Sequence, residues 1–278
     1  MTDGFSTGPK ADSALVATLK HRLEIGVSLL LFVILVVGWE AIVWIFSIPS
    51  IVIPTPTAIV KALWANLNTW RFYYHVGVTL WEILAGFAIG TVMGLGVGIS
   101  IGQWKILEKT IYPYVVGFQT VPKVAIAPLI IIWFGYGLAS KIVITALIVF
   151  FPICVSCIAG MNAAPQQQID MLRSFTATRW QIFRIFKLQT ALPYIFAGLD
   201  VAAVLAVIGA IVGEFIGSQG GLGYVLLQRN FSMDTAGSFA IVIVLSLIGI
   251  VLHQVVNILR RYIVFWMEPE ATLEGESA

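Results

Sequence analysis

The sequence predicts an all-α membrane protein with six transmembrane helices. Of its 278 residues, 59% are hydrophobic and only 11% are charged, whereas a soluble domain carries about 25% charged residues. The apolar residues form six runs, each close to the roughly 20 residues that a helix needs to cross a bilayer core. Because a backbone in lipid must satisfy its own hydrogen bonds, each run is predicted to be a helix.

The predicted spans are residues 25–48, 76–101, 111–134, 142–160, 194–217 and 239–259. Residues 25–266 form one transmembrane domain, between polar tails at 1–24 and 267–278. An even number of spans places both tails on one side. The N-terminal tail has no short apolar stretch typical of a cleavable signal peptide.

Basic residues indicate the orientation. If the termini are cytoplasmic, the inner segments hold Lys10, Lys20, Arg22, Lys105, Lys109, Arg173, Arg179, Arg184, Lys187, Arg260 and Arg261, and the outer segments hold Lys61, Arg71, Lys141 and Arg229. The positive-inside rule favours this arrangement, with both termini in the cytoplasm. The net charge is only +2 and the basic residues form no single patch, so nucleic-acid binding is not expected.

Glycines and prolines mark two unusual spans. Gly86, Gly90, Gly94 and Gly98 lie four residues apart, on nearly one face of the second span, which predicts close packing against another helix. The third span is interrupted by three prolines, which predicts a broken helix. These are Pro113, Pro122 and Pro128, with Lys123 beside the middle one.

Two further patterns have simple structural interpretations. Cys154 and Cys157 lie inside an apolar run without metal-ligand partners, so we expect small core residues and no metal site. The glycine run Gly220–Gly223 follows no predicted strand and is interpreted as a tight outer loop. Residues 48–71 are predicted to form an outer loop with a short surface helix.

The longest inner connection, residues 161–193, is the candidate functional segment. Pro165 suits a first helical turn, and Ile169, Leu172 and Phe175 follow at three-residue steps as one apolar stripe. A second helix is predicted at 179–188. Two exposed helices of mixed surface suit a groove in another protein, although an amphipathic connector lying on lipid headgroups is an alternative.

Several short motifs elsewhere in the chain point to one family. They are Pro54-Thr55-Pro56, Thr79-Leu80-Trp81, Val121-Pro122-Lys123-Val124-Ala125, Ala127-Pro128-Leu129, Ile132-Trp133-Phe134-Gly135 and Gly220-Gly221-Leu222-Gly223-Tyr224. With them, residues 52–266 resemble the permease subunits of bacterial ABC importers that serve nitrate, taurine, alkanesulfonate or bicarbonate. This chain departs from the loop signature of that family at five positions. Asp170 stands where the family has Glu, Met171 and Leu172 where it has alanines, Thr176 where it has Gly, and Gln189 where it has the first proline. The Leu-Pro pair that follows is retained as Leu192-Pro193.

The resemblance implies a coupling helix between the fourth and fifth spans, seated on an ATP-hydrolysing partner. The implied coupling residues are Asp170, Met171, Leu172, Arg173, Ser174, Phe175, Thr176 and Ala177. Implied partners are a second permease copy in a two-fold dimer, two ATPase subunits, an extracytoplasmic solute-binding protein and the lipid bilayer. The expected function is inward movement of a small anion or organic solute by alternating access across the bacterial inner membrane.

The chain itself is expected to be non-catalytic. It contains no G-x-x-x-x-G-K-[ST] loop, so ATP and Mg²⁺ are expected only on the ATPase subunits. An ion-gradient-driven secondary transporter or channel is the alternative, and it should show paired intramembrane carboxylates or an inverted repeat. An intramembrane enzyme is disfavoured because no His, Glu or Asp cluster has metal or catalytic spacing.

Ionisable residues inside spans are candidates for a pathway or for pairing, because a charge in lipid is costly. The candidate pathway residues are Pro122, Lys123, Pro128, Asp200 and Glu214. Lys123 adjoins a helix break, where it suits an anionic solute; the alternative is that it snorkels or pairs with Asp200 or Glu214. Glu40, Glu82 and His253 are interpreted as polar contacts between helices.

Overall fold

A computed structural model describes residues 10–266, with side chains described from residue 26 onward. This part of the chain is helical and contains no strand. The elements are α1 (Lys10–Ile45), α2 (Pro56–Leu67), α3 (Trp70–Gln103), α4 (Lys105–Thr120), α5 (Lys123–Phe134), α6 (Leu138–Asn162), α7 (Gln166–Ser174), α8 (Arg179–Gln181), a π-helical segment (Ile182–Lys187), α9 (Leu188–Gly217), α10 (Leu222–Phe231) and α11 (Thr235–Ile263).

Among these elements, five helices are long and apolar enough to cross a membrane, or six if α4 and α5 together form one bent span. The all-α membrane fold predicted from the sequence is therefore confirmed. Residues 10–24 of the predicted N-terminal tail belong to α1. The tail at 267–278 lies outside the described residues.

The third span is broken, as predicted, and the break lies at one of the three prolines. The axes of α4 and α5 differ by 95° across Val121 and Pro122. Proline restricts the preceding residue to extended backbone, and Val121 has φ −67° and ψ 129°. Pro113 and Pro128 lie inside α4 and α5, so neither ends a helix.

The core is built around α6, which packs between α3 and α9. The glycine face of α3 lies directly against α6: a Cβ atom on Gly90 would lie 2.7 Å from the Ala146 carbonyl oxygen, and one on Gly94 would lie 2.9 Å from the Phe150 carbonyl oxygen. Only a residue without a side chain allows this approach. The predicted packing face is confirmed.

The two cysteines belong to the same interface. Both Cys154 and Cys157 are free and fully buried. A Cβ atom on Gly98 would lie 2.7 Å from the Cys157 Cβ atom. Their interpretation as small core residues facing a neighbouring helix is thus confirmed.

The fifth span starts earlier than predicted. Residues Arg179–Gly217 form one continuous apolar helix of 39 residues, made of α8, the π-helical segment and α9. The prediction of a separate second helix at 179–188 was wrong. Pro193 lies inside α9 and does not end it, so the helix continues from the loop into the bundle.

The bundle has two ends, named here by the short helices they carry. At the α7 end, a Cβ atom on Gly102 of α3 would lie 2.5 Å from the Met161 Cβ atom of α6. At the opposite α2 end, the Arg229 guanidinium of α10 donates a 2.9 Å hydrogen bond to the Asn66 side-chain oxygen of α2. The surface helix predicted within residues 48–71 is α2.

Candidate functional site

The short helix α7 lies between two helices, α6 and α8, whose adjoining ends are fixed by hydrogen bonds. The end of α6 is held by a 2.6 Å hydrogen bond from the Asn162 side-chain amide to Glu108 of α4. After α7, Thr178 and Gln181 form a capping box: the Thr178 N–H donates to the Gln181 side chain at 2.8 Å, and the Gln181 N–H donates to the Thr178 hydroxyl at 3.3 Å. Such a box fixes a helix start.

Most of α7 and the turn after it faces solvent. Ile169 is the buried residue of α7 and attaches the helix to the bundle. Leu172 and Ala177 are half-buried. The other predicted coupling residues are exposed: Asp170, Met171, Arg173, Ser174, Phe175 and Thr176. The structure therefore brings the eight predicted coupling residues together on one largely exposed segment.

The predicted apolar stripe ends before Phe175. Ile169 is buried and Leu172 is half-buried, but the Phe175 side chain is 75% exposed. The reason is that α7 ends at Ser174, so Phe175 no longer follows the helical repeat. Phe175 therefore does not continue the predicted stripe of Ile169 and Leu172, and its ring is presented to solvent.

The turn after α7 is a Schellman motif. The Thr176 N–H donates to the Arg173 carbonyl at 2.9 Å, and the Ala177 N–H donates to the Leu172 carbonyl at 3.1 Å. The residue at the centre of such a motif adopts left-handed backbone, which favours glycine. Thr176 has φ +59°, so a β-branched residue occupies a position suited to glycine.

The charged groups of α7 contact one another. Asp170 accepts hydrogen bonds from Arg173 at 3.0 Å and from the Gln166 side chain at 2.9 Å. The ion pair is about 60% exposed, and exposed pairs contribute only about 0–1 kcal/mol. The two charged side chains are therefore only weakly paired with each other and are free to contact another protein surface.

Trp180 is an exposed aromatic residue beside this segment that the sequence analysis did not select. Its side chain is 66% exposed, and its ring lies 5.4 Å from the Phe183 ring. The signal in the sequence was the Thr178-x-x-Gln181 capping box, which places Trp180 in the first turn of a helix, before that helix enters the bundle.

At the break between α4 and α5, Lys123 has local partners. Its ammonium group donates a 2.7 Å hydrogen bond to the Gln119 carbonyl and lies 4.6 Å from the centre of the Phe151 ring. It pairs with neither Asp200 nor Glu214. Pro122 and Pro128 are exposed near it.

The other two predicted pathway residues have separate partners. Asp200 of α9 lies 2.7 Å from His253 Nδ1 of α11, and His253 Nε2 lies 2.9 Å from the Asn257 side-chain nitrogen. Glu214 is fully buried and accepts a 2.6 Å hydrogen bond from Thr79. The five predicted pathway residues therefore do not form one constellation in this chain.

Polar contacts between helices also include Glu40 and Glu82. Glu40 of α1 accepts hydrogen bonds from the Thr57 N–H at 3.1 Å and from the Thr57 hydroxyl at 2.7 Å. Glu82 of α3 accepts a 2.7 Å hydrogen bond from Lys141 of α6. His253 likewise joins two helices through its contact with Asp200. Glu40, Glu82 and His253 are therefore polar contacts between helices, as interpreted from the sequence.

Lys141 is not the outer loop charge that the sequence predicts. It lies in α6 and is only 4% exposed. Its ammonium group donates hydrogen bonds of 2.7 Å to Glu82 and to the Ser218 hydroxyl. It is the cation of a buried cluster at the α2 end that contains Thr79, Glu82 and Glu214.

This cluster fixes the loop between α9 and α10. The Leu222 N–H donates to the Thr79 hydroxyl at 2.7 Å, the Gly221 N–H donates to His75 Nδ1 at 3.1 Å, and the Gly223 N–H donates to Glu214. Gly221 has φ +108°, and a Cβ atom there would lie 2.1 Å from a Glu214 oxygen. The glycine run is therefore a tight loop, as predicted.

Outside the spans, Arg229 pairs with Asp234, which also caps α11 by accepting a 2.9 Å hydrogen bond from the Gly237 N–H. Partial burial opposes ionisation of Asp234. The Gly237 N–H and the Arg229 guanidinium outweigh this effect and hold the pKa of the Asp234 carboxyl group below its usual value.

Within residues 10–266, no group of three or more His, Cys, Asp or Glu side chains is placed to hold a metal ion.

The fold is that of a polytopic helical membrane protein with a solvent-exposed short helix at one end of the bundle. The chain belongs to the family of binding-protein-dependent transport system inner membrane components, whose family model matches residues 86–268. It is therefore the permease subunit of a binding-protein-dependent ABC importer, a non-catalytic multi-pass protein of the inner membrane. The resemblance stated from the sequence motifs is confirmed.

Individual relatives agree with the family. A probable ABC transporter permease protein of Haemophilus influenzae is 34% identical over 89% of this chain and 98% of its own length. The riboflavin transport system permease protein of Chloroflexus aurantiacus is 33% identical, with 84% and 87% covered. A putative aliphatic sulfonates transport permease protein of Bacillus subtilis is 29% identical, with 93% and 94% covered.

A solved structure supports the fold. An inward-facing structure of the MetNI methionine ABC transporter contains a chain that matches with a TM-score of 0.56 and 23% identity. The match covers 68% of this chain and 96% of that chain. At 23% identity, this likeness is evidence for a shared fold alone.

Proposed function

We propose that this permease moves a small anion or organic solute inward, and that α7 with residues 170–177 seats on a cytoplasmic ATPase subunit. The observation that carries the proposal is the exposed, mixed surface of α7 and its following turn. Phe175 is 75% exposed and Met171 is 54% exposed, beside the Asp170–Arg173 pair. An aromatic anchor with charges around it is typical of a protein-binding hot spot.

The distribution of charge supports a cytoplasmic position for the α7 end. Basic residues of the described spans and loops at that end are Lys105, Lys109, Arg173, Arg179, Arg184, Lys187, Arg260 and Arg261. At the α2 end they are Lys61, Arg71 and Arg229, because Lys141 is neutralised inside the bundle. By the positive-inside rule, this distribution supports the proposal that both termini are cytoplasmic.

The proposed complex contains two permease copies, two ATPase subunits and an extracytoplasmic solute-binding protein, with the path between the permeases. Exposed apolar side chains on α5 support a partner there, including Leu129, Ile132 and Trp133. ATP and Mg²⁺ would bind the ATPase subunits. ATP binding would close those subunits, carry α7 with them and rock the spans to an outward-open state.

The solute class rests on the family and on the broken span. Relatives are named for riboflavin and for aliphatic sulfonates, so both organic and anionic solutes are candidates. The half-buried Lys123 ammonium beside the break suits a negative group. Lys123→Met should lower uptake of an anionic solute, and unchanged uptake and solute preference would remove Lys123 from the path.

The proposed docking is tested by Phe175→Ala in the assembled transporter. Loss of an aromatic anchor typically costs 2 kcal/mol or more, about thirtyfold in affinity, so the ATPase should dissociate more readily or lose stimulation by loaded binding protein. Trp104→Ala is the matched control, since Trp104 is 57% exposed at the same end but lies outside α7. If both variants retain the ATPase, its stimulation and uptake, α7 is not the docking element.

A further inference from the structure

We infer that Glu82 and Glu214 hold one proton between them, and that this proton bridges α3 and α9 at the α2 end of the bundle. This site lies apart from α7, and the inference does not depend on the proposed docking of an ATPase. It follows from the charges, the hydrogen bonds and the burial of one cluster.

The charge of the cluster is unbalanced without a bound proton. Glu82 is 0% exposed, Glu214 is 1% exposed and Lys141 is 4% exposed. Two carboxylates and one ammonium group leave a net charge of −1. A buried charge without compensation is strongly unfavourable, so a third charge or a proton is required.

No other residue near the cluster supplies the missing positive charge. His75 Nδ1 accepts the hydrogen bond of the Gly221 N–H, so that nitrogen carries no proton and the ring is neutral. The remaining groups that face the cluster or His75 are hydroxyl and aromatic groups, apart from Arg71, whose side chain is near His75 but exposed. These groups are Tyr74, Thr79, Ser218 and Tyr224.

Hydrogen bonding assigns the proton to one atom. Both Glu214 oxygens have donors, namely the Thr79 hydroxyl and the Gly223 N–H. Glu82 Oε1 accepts from Lys141, but Glu82 Oε2 is buried without a donor. The Glu214 carboxyl group lies close to Glu82, because its hydrogen-bond donor Thr79 is one turn before Glu82 on the same face of α3. A proton on Glu82 Oε2 makes that atom a donor to Glu214, which satisfies it.

The proton has a structural consequence for the α2 end. Two neighbouring carboxyl groups in one site hold a proton tightly because both cannot ionise without repulsion. Removing the proton would leave two carboxylates facing each other across α3 and α9. Glu214 and Thr79 also accept hydrogen bonds from the loop at Gly221–Gly223, so this loop is anchored directly beside the shared proton.

Infrared spectroscopy of the assembled transporter in lipid nanodiscs tests the inference. Near neutral pH, the wild-type spectrum should contain the C=O stretch of one protonated carboxyl group per permease chain. Glu82→Gln and Glu214→Gln should each remove this band, so it should appear in the difference spectrum between wild type and either variant. Lys141→Met should double this band, because both carboxyl groups then take up a proton. Glu108→Gln, which changes an acid at the α7 end, should leave it unchanged.

The wild-type protein alone also provides a test, which does not depend on whether the variants fold. Its band should be present near neutral pH and disappear in alkaline buffer. A wild-type transporter without the band near neutral pH would overturn the inference. So would a band that survives unchanged in both single Glu variants.

Discussion

Lys141 of α6 donates a 2.7 Å hydrogen bond to Glu82 of α3, and both side chains are buried within the transmembrane bundle. Removing one partner of a buried ion pair typically costs about 3–5 kcal/mol; without Lys141, the carboxylate left in the cluster must take up a proton to avoid an uncompensated buried charge. Lys141→Met should therefore lower the melting temperature of the purified transporter strongly. Glu82→Gln combined with Lys141→Met should recover part of this loss.

Lys123→Met is the matched control for that prediction. The Lys123 ammonium bonds to the Gln119 carbonyl and has no carboxylate partner, so its loss should cost only about 1 kcal/mol. Equal destabilisation by the two lysine substitutions would contradict the importance of the Lys141–Glu82 pair.

The glycine face of α3 predicts a sharp difference between two glycines of one helix. Gly90→Ala would place a Cβ atom 2.7 Å from the Ala146 carbonyl oxygen, whereas nothing lies within 4 Å of a Cβ atom at Gly96. Overpacking costs about 1–3 kcal/mol, so Gly90→Ala should lower thermal stability. Gly96→Ala should raise it by up to about 1 kcal/mol through helix propensity. Similar melting temperatures for both variants would contradict the packing described for α3 and α6.

The turn after α7 should become more stable with glycine. Thr176 adopts φ +59°, and a non-glycine residue held in this region costs on the order of 1 kcal/mol. Thr176→Gly should therefore increase the hydrogen-exchange protection of the α7 amides about fivefold. Ser174→Gly, inside α7, should reduce this protection. Lower protection in Thr176→Gly than in wild type would show that the threonine is not strained.

Asp234 should stabilise the α2 end in a pH-dependent way. Because the pKa of its carboxyl group lies below the usual value of 3.8, its ionised form contributes stability at neutral pH, and this contribution is lost as the pH falls through the folded-state pKa. Asp234→Asn retains a good helix cap but removes the charge. Its melting temperature should be lower than that of wild type at neutral pH, and the difference should shrink below about pH 4. A constant difference would exclude the charge as its cause.

The sequence predicted what depends on local patterns. The α3 packing face was visible because glycines four residues apart share one side of a helix, and the break of the third span was visible because Pro122 restricts Val121. The Lys141–Glu82 pair was not predictable, because its partners lie 59 residues apart and a lysine at the edge of an apolar run looks like a loop charge.

The α7 segment shows the same limit. Its position and exposed charges followed from residues 165–175, but the outward direction of Phe175 depends on where the helix ends. The residue that ends it in left-handed backbone is Thr176, and threonine gives no such signal. The long fifth helix was divided wrongly because Arg184 and Lys187 interrupt the apolar run although the helical backbone continues through them.

Cysteine cross-linking tests most directly whether α7 seats on the ATPase. In the full transporter, single cysteines at Met171, Arg173 and Phe175 should cross-link to the ATPase subunit, and the yield should change when ATP is added. A cysteine at Phe231, which is 80% exposed at the α2 end, should give no ATPase product. Cross-linking from Phe231 but from none of the three α7 positions would contradict the proposed docking.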